Sequence, residues 1–214
     1  TERAAITYRQ RYPMAQARCH VIENGYDEDA FNGVEPDRFG APANKLLILH
    51  SGLIYPKDRN PSTFFSAINS LLQKKMIDRE NLCIRFRAPY HDEEVLASAQ
   101  QYGLQDVVEV APPVPYQRAI AEMLGADLLV VFQGCNFNAQ IPAKIYEYLR
   151  TGRPVFAVVD PSGDTAAVLH QFPLVYVADI SSGASEGGRL EEALGDMKIG
   201  AQEGAAEKNI ELVR

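Results

Sequence analysis

The chain has 214 residues, 46% hydrophobic and 23% charged, with 21 Lys and Arg against 28 Asp and Glu for a formal charge of −7. This is the balance of an ordinary globular chain, long enough to bury about 70% of its unfolded surface, and it excludes disordered, fibrous and collagen-like classes. It also argues against broad nucleic-acid binding, which needs a basic face, and no apolar run approaches the roughly 18 residues of a membrane span.

The three cysteines, Cys19, Cys83 and Cys135, are odd in number and scattered. They form neither a disulfide framework nor a metal-ligand cluster, so a reducing, cytosolic compartment is expected. The start carries no initiator Met and no signal-peptide pattern, and reads as mid-pattern, like an excised fragment.

In chain order, residues 2–12 are expected to form a helix ended by Pro13, residues 19–22 a short strand, and Asn24-Gly25 a turn. Residues 33–44, rich in Gly, Pro and Asp, read as a linker, so that 1–44 would hold the end of a preceding domain and the connection from it. From 45 to 178, apolar runs at 46–51, 82–87, 107–110, 127–132, 154–159 and 174–177 suit buried strands. Helical patterns lie between them at 61–75, 91–102, 115–125, 141–151 and 162–170. This alternation predicts an α/β fold, a Rossmann-like doubly wound parallel sheet flanked by helices. The tail 179–214, with eight acidic and four basic residues and much Gly and Ala, is assigned one helix near 188–197.

Ligands of such sheets sit beyond the carboxyl ends of the strands. Attention therefore falls on the loops after 51, 88, 110 and 132. In the loop 51–65, Gly52 allows close approach at the strand exit, and Asn60-Pro61 reads as a cap with Pro in the first turn. Lys57 and Arg59 precede that helix N-terminus, where dipole and free amides favour an anion; the plainer alternative is a solvated turn. In the segment 134–155, Ile141 is a poor cap before Pro142, leaving first-turn amides open. Lys144 suits a phosphate there and Glu147 a pair of sugar hydroxyls. The plainer alternative is a weak surface ion pair between them. Cys135 has no nearby base to make it a nucleophile, and His20, His50, His91 and His170 lack metal-ligand spacing. Glycine-rich dinucleotide and P-loop patterns are absent.

The ordered segments VIENGYDEDAF (21–31), LILHSGLIYPKDRNPSTFFSAI (47–68), LCIRFRAPYHDEEV (82–95), 103–132 and IPAKIYEYLRTGRPVFAVV (141–159) resemble the donor-binding, C-terminal half of GT-B glycosyltransferases of the family 4 type. The most specific is the P-x-K-x-x-E-Y-L-x-x-G-R-P-V run following A-D-L-L-V-V. The resemblance implies a metal-independent glycosyltransferase with no cofactor, whose substrate is a nucleoside-diphosphate sugar and whose reaction builds a polysaccharide or glycolipid, usually with retention. It implies Arg59 at the diphosphate, Lys144 on the donor-site helix, Glu147 on the ribose and Val114, in the loop 110–115, beside the base. Asn138, Gln140 and Ile141 join Gly52 and Lys57 as further expected contacts. The partner would be an N-terminal Rossmann domain that carries the acceptor and any contact with the inner face of the membrane; without it the fragment would bind donor but not turn over.

Two departures stand out. The sugar-facing glutamate expected eight positions before Glu147 is Ala139, and an arginine expected after the strand-exit glycine is Leu53. They favour, as an alternative, a non-catalytic nucleotide-sugar or interaction module. A GT-B-shaped epimerase is the other alternative, though no acid/base cluster is evident for it.

Overall fold

The computed structural model describes residues 1–55, 57–199 and 205–213. Six strands, β1 (Leu46–Ser51), β2 (Leu82–Arg87), β3 (Val108–Ala111), β4 (Leu128–Phe132), β5 (Val155–Val159) and β6 (Val175–Asp179), form one parallel sheet in the order β3-β2-β1-β4-β5-β6. The expected doubly wound sheet is present, with each strand boundary within two residues of its sequence reading. Strands buried on both faces need continuous apolar runs rather than alternation, and β2, β4 and β5 are buried along their whole length.

Helices cover both faces. On one side α2 (Ser62–Gln73), α3 (Asp92–Gln101) and α7 (Gly183–Ile199) enclose a core in which Phe64, Phe65, Phe86, Phe132 and Phe156 pack ring to ring. On the other, α4 (Tyr116–Gly125), α5 (Ala143–Arg150) and α6 (Asp164–Leu169) cover Leu47, Leu49, Leu129, Val131 and Val155. Burying one such side chain is worth about 1.5–3 kcal/mol, so these two layers dominate the fold. Helix α8 (Ala205–Val213) lies on α5, with Ile210 and Ala206 against Gly152.

Three expectations are corrected. Helix α1 (Glu2–Arg11) forms, but residues 19–22 are not a strand: they have no neighbouring strand to pair with, the sheet edges being β3 and β6. Asn24-Gly25 is not a turn either, because the Asn24 amide reaches across to the Ile141 carbonyl at 2.8 Å. Residues 33–44 have neither helix nor strand, as read, and are fastened to the sheet domain: Asp37 N donates to Ala121 O at 2.9 Å, and Arg38 pairs with Asp127 at 3.0 Å. The described part of the tail holds two helices instead of one: the expected one runs longer, as α7, where Leu190, Ala193 and Leu194 bury against the sheet and α2 and override the weak propensity of its glycines, and α8 is added by packing on α5. The stretch 200–204 of that Gly/Ala-rich tail lies outside the described residues.

The chain order reverses between β1 and β4, which pair at Ile48 with Leu128 and Leu49 with Leu129. At this switch point the loops after β1 and β4 diverge and open a crevice. Of the loops singled out from sequence, those after 51 and 132 thus meet first.

Candidate functional site

Gly52 leaves β1 at φ +110°, a conformation closed to most side chains, and a Cβ there would sit 2.8 Å from Lys144 Nζ. Lys144, half-buried on the first turn of α5, donates to the Ser51 carbonyl at 2.6 Å. Burial, with the nearby Arg59 guanidinium second, pulls its ammonium down to about 7. Helix α5 starts after Pro142 with no side chain capping it, as the sequence suggested, and places Ile145, Tyr148 and Leu149 in the core. Tyr148 Oη accepts from Ser51 N at 2.9 Å, so α5 and the end of β1 are locked together.

Arg59 is half-buried. One Nη donates to Leu53 O at 3.3 Å, the guanidinium lies 4.9 Å from the Tyr55 ring centroid, and Nε has no partner among the described residues. It lines a cleft of about 290 Å³ with Thr1, Glu23, Asn24, Gln133, Gln140 and Ile141. The opposite wall comes from the N-terminal segment, where Thr1 Oγ1 donates to Ala139 O at 2.8 Å. Gln133, buried at the end of β4, holds the floor by donating to Phe137 O and Gln140 O, both at 2.9 Å.

Glu147, one turn along α5, does not pair with Lys144. Its Oε1 accepts from Tyr116 Oη at 2.7 Å. Burial and the adjoining carboxylate push that phenol up. Tyr116 opens α4 directly after Pro112-Pro113-Val114-Pro115, so the half-buried Val114 sits close by in sequence on the same loop. Three of those four residues are prolines, and Val114 supplies the only amide hydrogen among them.

The structure brings together Gly52, Arg59 and Lys144, and places Gln140 and Ile141 along the Arg59 cleft. It separates two others. Lys57 lines a different cavity, of about 400 Å³, with Asn60, Thr63, Cys135 and Ser181. The loop 57–60 is fixed so by the 134–136 turn: Asn136 donates to Asp58 Oδ1 at 3.0 Å, and a Cβ at Gly134 would meet Asp58 O at 2.5 Å. Asn138 turns from the cleft to donate to Asp160 at 2.6 Å. The cap of α2 shifts by one: Pro61 precedes the helix, and Asn60 Oδ1 accepts from Ser62 N at 2.9 Å.

Cys135 is exposed, and partial burial with Asp160 pushes its thiol up, the opposite of an activated nucleophile. His50 is buried between Phe86 and Phe132, bonded through Nδ1 to Val130 O at 2.9 Å, and burial holds it neutral. Among the described residues no group of three or more His, Cys, Asp or Glu is placed to hold a metal ion. None of the helices among the described residues is long and apolar enough to cross a membrane. A larger cavity, about 740 Å³, opens at the amino edge between Lys45, Met76, Arg153 and Met197, away from the carboxyl ends where such sheets hold ligands.

No protein-family model matches the chain, and no curated protein matches it in sequence. Solved structures do match. A glycosyltransferase from Rickettsia africae ESF-5 superposes with a TM-score of 0.73 at 13% identity, over 98% of this chain and 56% of that one. WaaG, a glycosyltransferase involved in lipopolysaccharide biosynthesis, gives 0.75 at 16% identity, over 96% and 55%. The pneumococcal O-GlcNAc transferase GtfA, solved with UDP and GlcNAc, gives 0.62 at 7% identity, over 100% and 40%. The chain spans about half the length of the first two structures. It has the fold of one half of a GT-B glycosyltransferase, as the sequence led us to expect.

Proposed function

We propose that the chain is the donor-binding half of a glycosyltransferase and holds a nucleoside-diphosphate sugar at the β1/β4 switch point, for transfer to a polysaccharide or glycolipid acceptor. The observation that carries this reading is the convergence of Gly52, Arg59 and Lys144 on the uncapped start of α5, with Glu147 one turn further on.

Each group has a task. Cleaving the bond between sugar and diphosphate leaves negative charge on the departing diphosphate. Arg59, Lys144 and the first amides of α5 meet that charge without reorganising, so a metal ion is not needed for it. Glu147 accepts ribose hydroxyls, and Val114 N–H with neighbouring carbonyls faces the base. The sugar projects toward Gln140 and the wall formed by Glu23 and Asn24. An acceptor-binding Rossmann domain completes the other side, and transfer proceeds with retention.

Ala139 favours a second reading, a module that binds donor without transferring it, because it brings only a main-chain carbonyl to the cleft and that carbonyl is held by Thr1. Donor binding by the full-length protein with neither hydrolysis nor transfer would select this second reading.

The test is a thermal-shift titration with UDP, GDP, ADP, CDP and dTDP, because a ligand of the folded state raises stability by RT ln(1 + [L]/Kd). One base should give a selective rise, and Arg59→Ala should weaken it by about tenfold or more. Lys57→Ala, on the other cavity, should not. No shift with any of the five at millimolar concentration would overturn the proposal.

A further inference from the structure

We infer that Arg87 is a positioning residue that sets the loop 112–115, and so the nucleobase, against the phosphate side of the cleft; the inference rests on the donor-site reading above. Arg85 and Arg87, two apart on β2, point to the same face of the sheet and are only 5% and 6% exposed. There they meet Glu122 of α4, which is 0% exposed. The Glu122 carboxylate accepts from Arg85 Nη1 at 2.8 Å and from Arg87 Nε and Nη2 at 2.7 and 2.6 Å. Glu109 takes Arg85 Nε at 2.5 Å. The Arg87 guanidinium is thereby clamped on one edge, and Phe39 covers it at 5.5 Å.

Its remaining Nη1 donates to the Pro112 carbonyl at 2.7 Å, the first residue after β3. The main-chain carbonyl of Arg87 itself accepts from Gly52 N at 2.8 Å, at the exit of β1. One residue thus ties together the phosphate loop and the base loop. The base loop has little else to hold it, since three of its four residues lack an amide hydrogen. It runs from Pro112, held by Arg87, to Pro115, whose carbonyl accepts from Ala119 N at 3.0 Å, and delivers Tyr116 to Glu147.

A buried ion triad contributes little net stability, because desolvation offsets attraction and apolar replacements are often neutral. What apolar residues cannot do is fix a carbonyl in place, and that is the task the geometry gives Arg87. The Gly52 contact comes from the main chain and survives any substitution, so the side chain acts on the base side alone.

Calorimetric affinities of the full chain for UDP, GDP, ADP, CDP and dTDP, and for inorganic pyrophosphate, test this in the parent and in Arg87→Lys, which keeps the charge but not the fork. The expected result is a preferred nucleoside diphosphate bound about tenfold more weakly, a narrowed preference among the five bases, and unchanged pyrophosphate. Retained base preference, or equal loss of nucleotide and pyrophosphate, would make Arg87 merely structural and overturn the inference. Should Arg87→Lys not fold, Glu122→Gln, which keeps the shape of the clamp, is judged by the same ratio. A parent that binds none of the five nucleotides defeats the donor-site reading itself, whereas a parent that binds with variants of unchanged preference defeats only this inference.

Discussion

On the phosphate side of the cleft, position is set by main chain and burial: Gly52 at φ +110°, the Ser51 carbonyl on Lys144 Nζ, and Arg59 laid over Tyr55. On the nucleoside side it is set by hydrogen-bonded side chains acting in series, from Glu122 to Arg87 to the Pro112 carbonyl, and from Tyr116 to Glu147. The first arrangement depends on the backbone conformation at Gly52 and on the close approach of Lys144 to it, and fails on changes there. The second tolerates changes of shape and fails on changes of hydrogen bonding.

The steric side should break hardest. Gly52→Ala forces an unfavourable backbone, costing about 1–3 kcal/mol, and drives its methyl against Lys144 Nζ, which has to shift from its place on the Ser51 carbonyl. We expect a lower melting temperature together with loss of both nucleotide and pyrophosphate binding. A melting temperature equal to the parent's would show that Lys144 swings aside freely, and the rigidity ascribed to this side would be wrong.

The hydrogen-bonded side should break more gently and only for ligands that carry a ribose. Glu147→Ala removes the acceptor that Tyr116 now satisfies. It is expected to weaken a ribonucleoside diphosphate by about tenfold, a deoxyribonucleoside diphosphate by less, and pyrophosphate not at all. Equal weakening of all three would place Glu147 at the phosphates and erase the division between the two sides.

The same division governs what could be read from sequence. The sheet was legible because strands buried on both faces need unbroken apolar runs, and the helix of the P-x-K-x-x-E-Y-L run because its apolar stripe and its weak cap are local properties. Which of Lys57 and Arg59 faces the cleft was not legible: both are cations of one loop, and the choice depends on Gly134 letting the β4 loop lie against the Asp58 main chain. The orientation of Asn138 was not legible for a similar reason, its partner Asp160 being brought beside it only by the fold. The second tail helix escaped notice, and the first was read too short, because packing, not propensity, makes them. The buried triad did leave a signal: two arginines two apart inside an apolar strand require a buried carboxylate. Glu122, between the core residues Ile120 and Met123, was there to supply it.

Lys144 offers the smallest and sharpest test. Its folded pKa lies at about 7, below the ordinary lysine value of 10.5, chiefly because burial disfavours the charged form. Between those two values the unfolded chain binds a proton that the folded chain does not, so Lys144 makes stability rise with pH from about 7 to about 10.5 and weighs against the fold below about 7. A diphosphate reverses the preference, since its charge favours the ammonium. Binding should therefore take up a proton near and above pH 7, and affinity should fall as pH rises further. Calorimetry in two buffers of different ionisation heat measures the uptake, and Lys144→Gln should abolish it while flattening the pH dependence of melting. Proton uptake that persists in Lys144→Gln would move the titrating group elsewhere and leave the phosphate side without its adjustable charge.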